Sequence, residues 1–258
     1  MTTTTEAVQG AAGHAAKSPI DPIHQFQIDR IIPIHLGPID ASLTNSGLWA
    51  IIAVCVVSLI FLLAPRNLVP SRFQSLAESI YEFVDNMTHE VLGHNSRTFF
   101  PFVLTLFTFI LACNVLGLIP YAFTVTSHII VTLALALVVF IGATIIGFIR
   151  NGFGYLKLFL PGGVPAALIP VVVPIEIISY FIRPFSLSIR LFANMMAGHM
   201  MLKVMAGFVL MLGALAGWLP LAAMVALYAL ELLVAVLQAY VFALLTCLYL
   251  NDALHVDH

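Results

Sequence analysis

Apolar residues fall in long uninterrupted stretches over residues 48–64, 98–120 and 128–149, and then over 164–212 and 220–250. Each of the first three comes close to the roughly 17–25 residues that carry a helix across about 30 Å of hydrocarbon. Residues 71–92 follow another pattern. Phe73, Leu76, Ile80, Phe83, Val84, Met87 and Val91 recur at helical spacing, with Glu78, Glu82, Asp85 and Glu90 between them. That period predicts an amphipathic helix lying in the plane of a membrane surface, or against a partner, rather than one that crosses. Ser71 followed by Gln74 resembles a capping box at its start.

The last two stretches are too long for upright spans. At a rise of 1.5 Å per residue they would reach roughly 70 Å and 46 Å as helices, so they must tilt steeply, break, or run partly in the membrane plane. Gly213 and Gly217 part them, and Pro174 and Pro184 are candidate bends in the first. The expected fold is all-α: five membrane-embedded helices plus one amphipathic surface helix, with the last two forming a long, steeply tilted hairpin. The alternative splits residues 164–212 into two ordinary spans, against which Glu176, Arg183 and Arg190 weigh.

Composition narrows the class further. Of 258 residues, 61% are hydrophobic and only 9% charged, with a formal net charge of −2, whereas soluble domains carry about 25% charged residues. An ordinary soluble enzyme and a disordered chain are both excluded. Lys and Arg form no basic face, which disfavours nucleic-acid binding. Residues 1–20 are Thr- and Ala-rich and read as a disordered leader, without the apolar core of a signal peptide or the arginines of a transit peptide. Residues 21–258 then form a single polytopic membrane domain, with an irregular or interfacial segment over 21–45. Arg66, Arg72, Arg97, Arg150 and Lys157 mark their loops as cytoplasmic, leaving the N-terminus and the turn near Gly213 outside. Cys55, Cys113 and Cys247 each sit in an apolar run and read as small buried hydrophobes.

Ionisable side chains inside such stretches are expensive, so each is a functional candidate. The long pair holds Glu176, Arg183, Arg190, Asn194, His199, Lys203, Glu231 and Gln238. Arg183 and Lys203 are the weaker cases, since a tilted helix lets either snorkel to an interface. If the hairpin turns near residue 214 or 215, antiparallel partners sum to about 429. Arg190 then lies opposite Gln238, and His199 opposite Glu231. Glu176, Arg183 and Arg190, spaced by sevens, share one face, while His199 stands about 180° round from Arg190. The layout suggests two polar paths, one towards each membrane face, with a fixed cation between them. His and Glu can exchange protons near neutral pH; a guanidinium stays charged and blocks direct leakage. Asn114, in the 98–120 span, adds an amide to the outer path or serves as a helix–helix hydrogen bond.

No hydrolase, nucleotide-binding or metalloprotease motif is present. Two candidate ligands, His199 and Glu231, are too few for a structural zinc. No catalytic residue, metal or cofactor is therefore expected.

Residues 186–199, Ser-Leu-Ser-Ile-Arg190-Leu-Phe-Ala-Asn194-Met-Met-Ala-Gly-His199, resemble the signature of subunit a, the proton-channel stator subunit of F-type ATP synthases. Pro184, the Glu231–Gln238 spacing and residues 114–121 (Asn-Val-Leu-Gly-Leu-Ile-Pro-Tyr) also match, over roughly residues 40–250. The resemblance implies a non-catalytic subunit that supplies two offset half-channels to a ring of c subunits, each carrying one membrane carboxylate. Arg190 would be the essential arginine facing that ring. His199, Glu231, Asn194, Gln238 and Asn114 would line the outer half-channel, and Glu176 the cytoplasmic one. It further implies the c-ring proteolipids, b-type peripheral-stalk subunits and lipid as partners. Two departures stand out. Many bacterial members carry an acid where His199 stands and a His where Glu231 stands; the exchange seen here resembles mitochondrial sequences. Gly117 replaces an aspartate found in some members. With no transit-peptide character in the leader, a bacterial inner membrane is expected, the alternative being the mitochondrial inner membrane.

Three rivals remain at this point. A self-contained secondary transporter would use Arg190, His199 and Glu231 to hold an anionic substrate. An assembly scaffold would use the polar residues only for packing, and a sodium-coupled subunit would depend on the ring.

Overall fold

The computed structural model describes residues 30–32, 35–36, 39–40, 43–63, 72–119, 122–159 and 168–254. The expected leader over residues 1–20 lies outside them, as do Ser71 of the expected capping box and Arg66 of the first basic loop.

Among the described residues, four short strands come first: β1 (Arg30–Ile32), β2 (His35–Leu36), β3 (Ile39–Asp40) and β4 (Leu43–Thr44). β1 pairs antiparallel with β4, and β2 with β3, as one hairpin nested in another. Six helices follow: α1 (Asn45–Leu63), α2 (Arg72–Leu92), α3 (Ser96–Gly117), α4 (Ile129–Asn151), α5 (Ile169–Ala216) and α6 (Trp218–Leu254). The architecture is that of an all-α membrane protein, with five helical segments long and apolar enough to cross a bilayer. One of these segments, Arg72–Gly117, joins α2 to α3 through a 3-10 turn over Gly93–Asn95. Gly93, at φ 53, supplies the left-handed backbone of that turn.

α2 buries Ala77, Val84, Met87 and Leu92 and turns Glu78, Glu82 and Glu90 outward, while Phe73, Leu76 and Phe83 of the expected apolar series are exposed. It lies along α3 and crosses α6: Tyr81 stacks edge-on against Phe100 at 4.7 Å, and Phe83 touches both Phe107 and Tyr240. α3 is the central post, packed against α1, α2 and α6, and α4 packs on both α5 and α6. Cys113 and Cys247 are buried as expected; Cys55 is instead exposed on the outer face of α1.

The long hairpin decides where the polar groups go. The apolar segment Ile169–Gly213 is 45 residues long, about 68 Å as a helix, twice the thickness of the hydrocarbon. Neither Pro174 nor Pro184 breaks its backbone. The only non-helical angles within α5 belong to Gly213, at φ 63, where the chain reverses. A seam of buried side chains at four-residue spacing joins the two arms. It holds Leu187, Leu191 and Met195 on α5 and Ala235, Ala239, Ala243 and Cys247 on α6. Alanine every fourth residue lets the backbones approach closely, which in lipid supplies the packing attraction that water would otherwise drive.

Candidate functional site

The seam carries two ionisable groups at its end nearer the turn at Gly213. His199 is the next position after Met195 in the four-residue series on α5, and Glu231 the one before Ala235 on α6. Both are buried, 6% and 5% exposed. His199 Nδ1 lies 3.5 Å from Glu231 Oε1. Gly198 makes room for this contact, since a Cβ there would stand 2.5 Å from Glu231 Oε1. Neither carboxylate oxygen accepts a hydrogen bond from a described residue, so the imidazole is the polar group that faces it. A buried lone carboxylate is costly. A carboxyl–imidazole pair holding one proton is net neutral whichever partner holds the proton.

The other ring nitrogen reaches the loop between α3 and α4. His199 Nε2 and Thr124 Oγ1 lie 2.8 Å apart. Thr124 belongs to the connection between α3 and α4, beside the 3-10 turn Val125–Ser127. Its hydroxyl donates to the Gly117 carbonyl at 3.3 Å, and a Cβ on Gly117 would come within 2.8 Å of Thr124 Cγ2. Gly at 117 is thus what admits Thr124 to the imidazole, a physical reason for the missing aspartate. Two residues on, Thr126 Oγ1 donates to Asn114 Oδ1 at 2.9 Å, and Asn114 Nδ2 donates to the Ala235 carbonyl at 3.1 Å. Asn114 is fully buried and so ties α3 to the loop and to α6, one turn from Glu231. Tyr228 closes this end by donating to the Leu118 carbonyl at 3.1 Å.

The count that set His199 opposite Glu231 also set Arg190 opposite Gln238. These two are not bonded. Gln238 is buried in the seam and Arg190 is exposed, because Arg190 precedes the seam residue Leu191 and so points about 100° away from it. Among the described residues no hydrogen bond or ion pair joins Arg190 to a neighbour. Phe185 and Ile189 are exposed near it on α5. Ser186, Ala193 and Ala197 are exposed on the same face and leave the guanidinium unscreened by bulk. Asn194, one turn beyond Arg190, is half-buried, as is Glu176.

The remaining basic candidates have partners. Arg183 Nη1 meets Asp252 Oδ2 at 3.1 Å, and Lys203 sits one turn beyond His199 with an interaction of its own. Among the described residues no group of three or more His, Cys, Asp or Glu is arranged to hold a metal ion. Sequence reasoning missed Thr124, Thr126, Gly198 and Asp252. Threonines in a loop between two spans, and a glycine beside a buried acid, carry meaning only once the partner helix is in place.

The chain is similar to known proteins along most of its length. The family model described as the ATP synthase A chain matches residues 47–251. ATP synthase subunit a from Parvibaculum lavamentivorans is 54% identical over 257 residues, covering 96% of this chain and 99% of that protein. The subunit from Pelagibacter ubique is 56% identical over 241 residues, covering 92% and 99%. That from Chelativorans is 57% identical over 246 residues, covering 92% and 99%. With a family match over most of its length and relatives above half identity along nearly all of it, the chain belongs to the ATP synthase A chain family of multi-pass membrane proteins.

Proposed function

We propose that this chain is the proton-translocating stator subunit of the Fo sector of an F-type ATP synthase, a non-catalytic subunit in a bacterial inner membrane. It would stand beside a ring of c-type proteolipids, with b-type stalk subunits and lipid as its other neighbours. The observation that carries the reading is the contrast between Arg190 and the His199–Glu231 pair. One is a cation with no ion-pair partner among the described residues, exposed on α5; the other is a buried, net-neutral pair between α5 and α6, whose histidine lies on the opposite side of α5.

The division of labour follows from chemistry. Thr124, His199 and Glu231, with Asn114 and Thr126 alongside, offer hydroxyl, imidazole and carboxyl groups in sequence, through which a proton can pass from the outer side. Asn194 and Gln238 continue that polar line towards the depth of Arg190. Glu176, two heptads away on the other side of Arg190, serves the second path. Between them the guanidinium cannot give up its proton. A ring carboxylate arriving at Arg190 is stabilised in its charged form and loses its proton to one path. Reprotonation from the other path frees it to move into lipid. Exposed Ser186, Ala193 and Ala197 beside Arg190 suit close approach of a second helix, as small residues do between membrane helices.

Photo-crosslinking from Ile189 in native membranes tests the partner. The expected product is an adduct with a small two-helix proteolipid that carries one membrane carboxylate. Adducts with lipid alone would remove the ring from this face and with it the proposed function.

A further inference from the structure

Arg183 is the cation that the proton path does not use. It sits seven residues before Arg190 on α5, which places it about 10 Å along the helix and only about 20° round from it. Both guanidiniums therefore look towards the same side. Arg190 has no ion-pair partner among the described residues, whereas Arg183 Nη1 lies 3.1 Å from Asp252 Oδ2. The Arg183 guanidinium also lies 5.9 Å from the ring centroid of Tyr249, and the Tyr249 hydroxyl is within electrostatic reach of both arginines. The two side chains of the ion pair are 39% and 41% exposed. An ion pair that open adds little to folding stability, so holding the hairpin together is not an adequate reason for it.

We propose that Asp252 masks Arg183, so that among the described residues Arg190 is the cation left free for carboxylates passing this face; the idea rests on the stator reading above. Two free guanidiniums about 10 Å apart in a poorly screening, low-dielectric setting would both attract an acid moving past. An acid held at the second would be retained between Arg190 and Glu176 instead of at the cation that divides the two paths. Asp252 cancels that second charge, and the face of Tyr249 favours keeping the guanidinium turned towards α6. Asp252 is thus a positioning residue for the charge pattern rather than a proton carrier. It stands near the end of α6, which closes at Leu254, and it meets Arg183 because the two lie at similar distances from the turn at Gly213.

The test uses the whole complex in vesicles, with proton-driven ATP synthesis normalised to assembled complex. Asp252→Asn is expected to lower the rate roughly tenfold by exposing Arg183. Asp252→Asn combined with Arg183→Gln should return it to within about twofold of the unsubstituted complex. Arg183→Gln alone and Asp252→Glu should stay near the starting rate. An unaffected Asp252→Asn, or a double variant as slow as that single one, would overturn the masking. So would loss of assembly in Asp252→Asn, since the pair would then be structural. Arg190→Ala in the same vesicles keeps the two readings apart. If it still synthesises ATP, the stator role itself has failed; if it does not and the double variant shows no rescue, only the masking has.

Discussion

His199 Nδ1 and Glu231 Oε1 stand 3.5 Å apart across the hairpin, one on each arm, with the Gly198 backbone filling the space where a side chain would separate them. The contact fixes the register of the two arms and makes the acid and the imidazole interchangeable in principle, since both point into one small volume. Substituting either one alone should therefore cost far more than exchanging them. His199→Ala and Glu231→Ala are each expected to lower proton conduction by ten-fold or more, within the range of a lost acid–base group. His199→Glu with Glu231→His should recover much of it. Proton uptake into vesicles by a pH-sensitive dye measures all three, and a double exchange no better than the single changes would refute the shared site.

Gly198 sets a steric limit on the same pair. In Gly198→Ala the new methyl group falls 2.5 Å from Glu231 Oε1, so the carboxylate must swing away from the imidazole. Conduction should drop several-fold while the helices still assemble, because overpacking of this size costs about 1–3 kcal/mol. Gly198→Val should be worse. Rates from the dye assay, set against the amount of assembled complex, separate the two effects.

On the loop side, Gly117→Ala drives a methyl group towards Thr124 Cγ2, 2.8 Å from the position it would take. The expected result is loss of the Thr124–His199 contact and slower proton entry. Thr124→Ser in the Gly117→Ala background removes the clashing methyl and keeps the hydroxyl, so it should restore part of the rate. Failure of the serine to help would mean that the glycine matters for some other reason.

Much of this was legible in the sequence, and what was not has a common cause. Hydrophobic runs and the acidic stripe at Glu78, Glu82 and Glu90 gave the helices, because lipid imposes length and satisfied backbone hydrogen bonds on any span. Adding residue numbers across the turn at Gly213 placed His199 against Glu231, since an antiparallel pair has a constant sum. The same addition failed for Arg190 and Gln238. It gives depth along the hairpin but not rotation about each helix, and Leu191 rather than Arg190 occupies the seam. Thr124 and Thr126 stayed hidden because their role depends on a loop folding back over α3, a contact with no period to reveal it. Asp252 carries no signal of its own in the sequence, since its partner Arg183 lies 69 residues away along the chain. The strands β1 to β4 were read only as an irregular segment, too short to show alternation.

Asn114 offers a check on packing as distinct from transport. It is fully buried, donates to the Ala235 carbonyl and accepts from Thr126. Asn114→Ala leaves the Thr126 hydroxyl without its acceptor, a loss of about 1–3 kcal/mol. Thermal stability of the detergent-solubilised complex should fall, with a smaller fall in Asn114→Ala combined with Thr126→Val. Equal stability in Asn114→Ala and the unsubstituted complex would mean that the amide does not tie the loop to α6.

The central claim is that one unpaired guanidinium both captures the rotor's carboxylates and keeps two proton paths apart. Arg190→Ala, assembled into the full complex and reconstituted in vesicles, tests it most directly when ATP synthesis and passive proton leak are read from the same preparation. The expected result is loss of proton-driven ATP synthesis with passive leak maintained or raised, because the paths remain and the barrier between them has gone. Undiminished ATP synthesis in that variant would contradict the account.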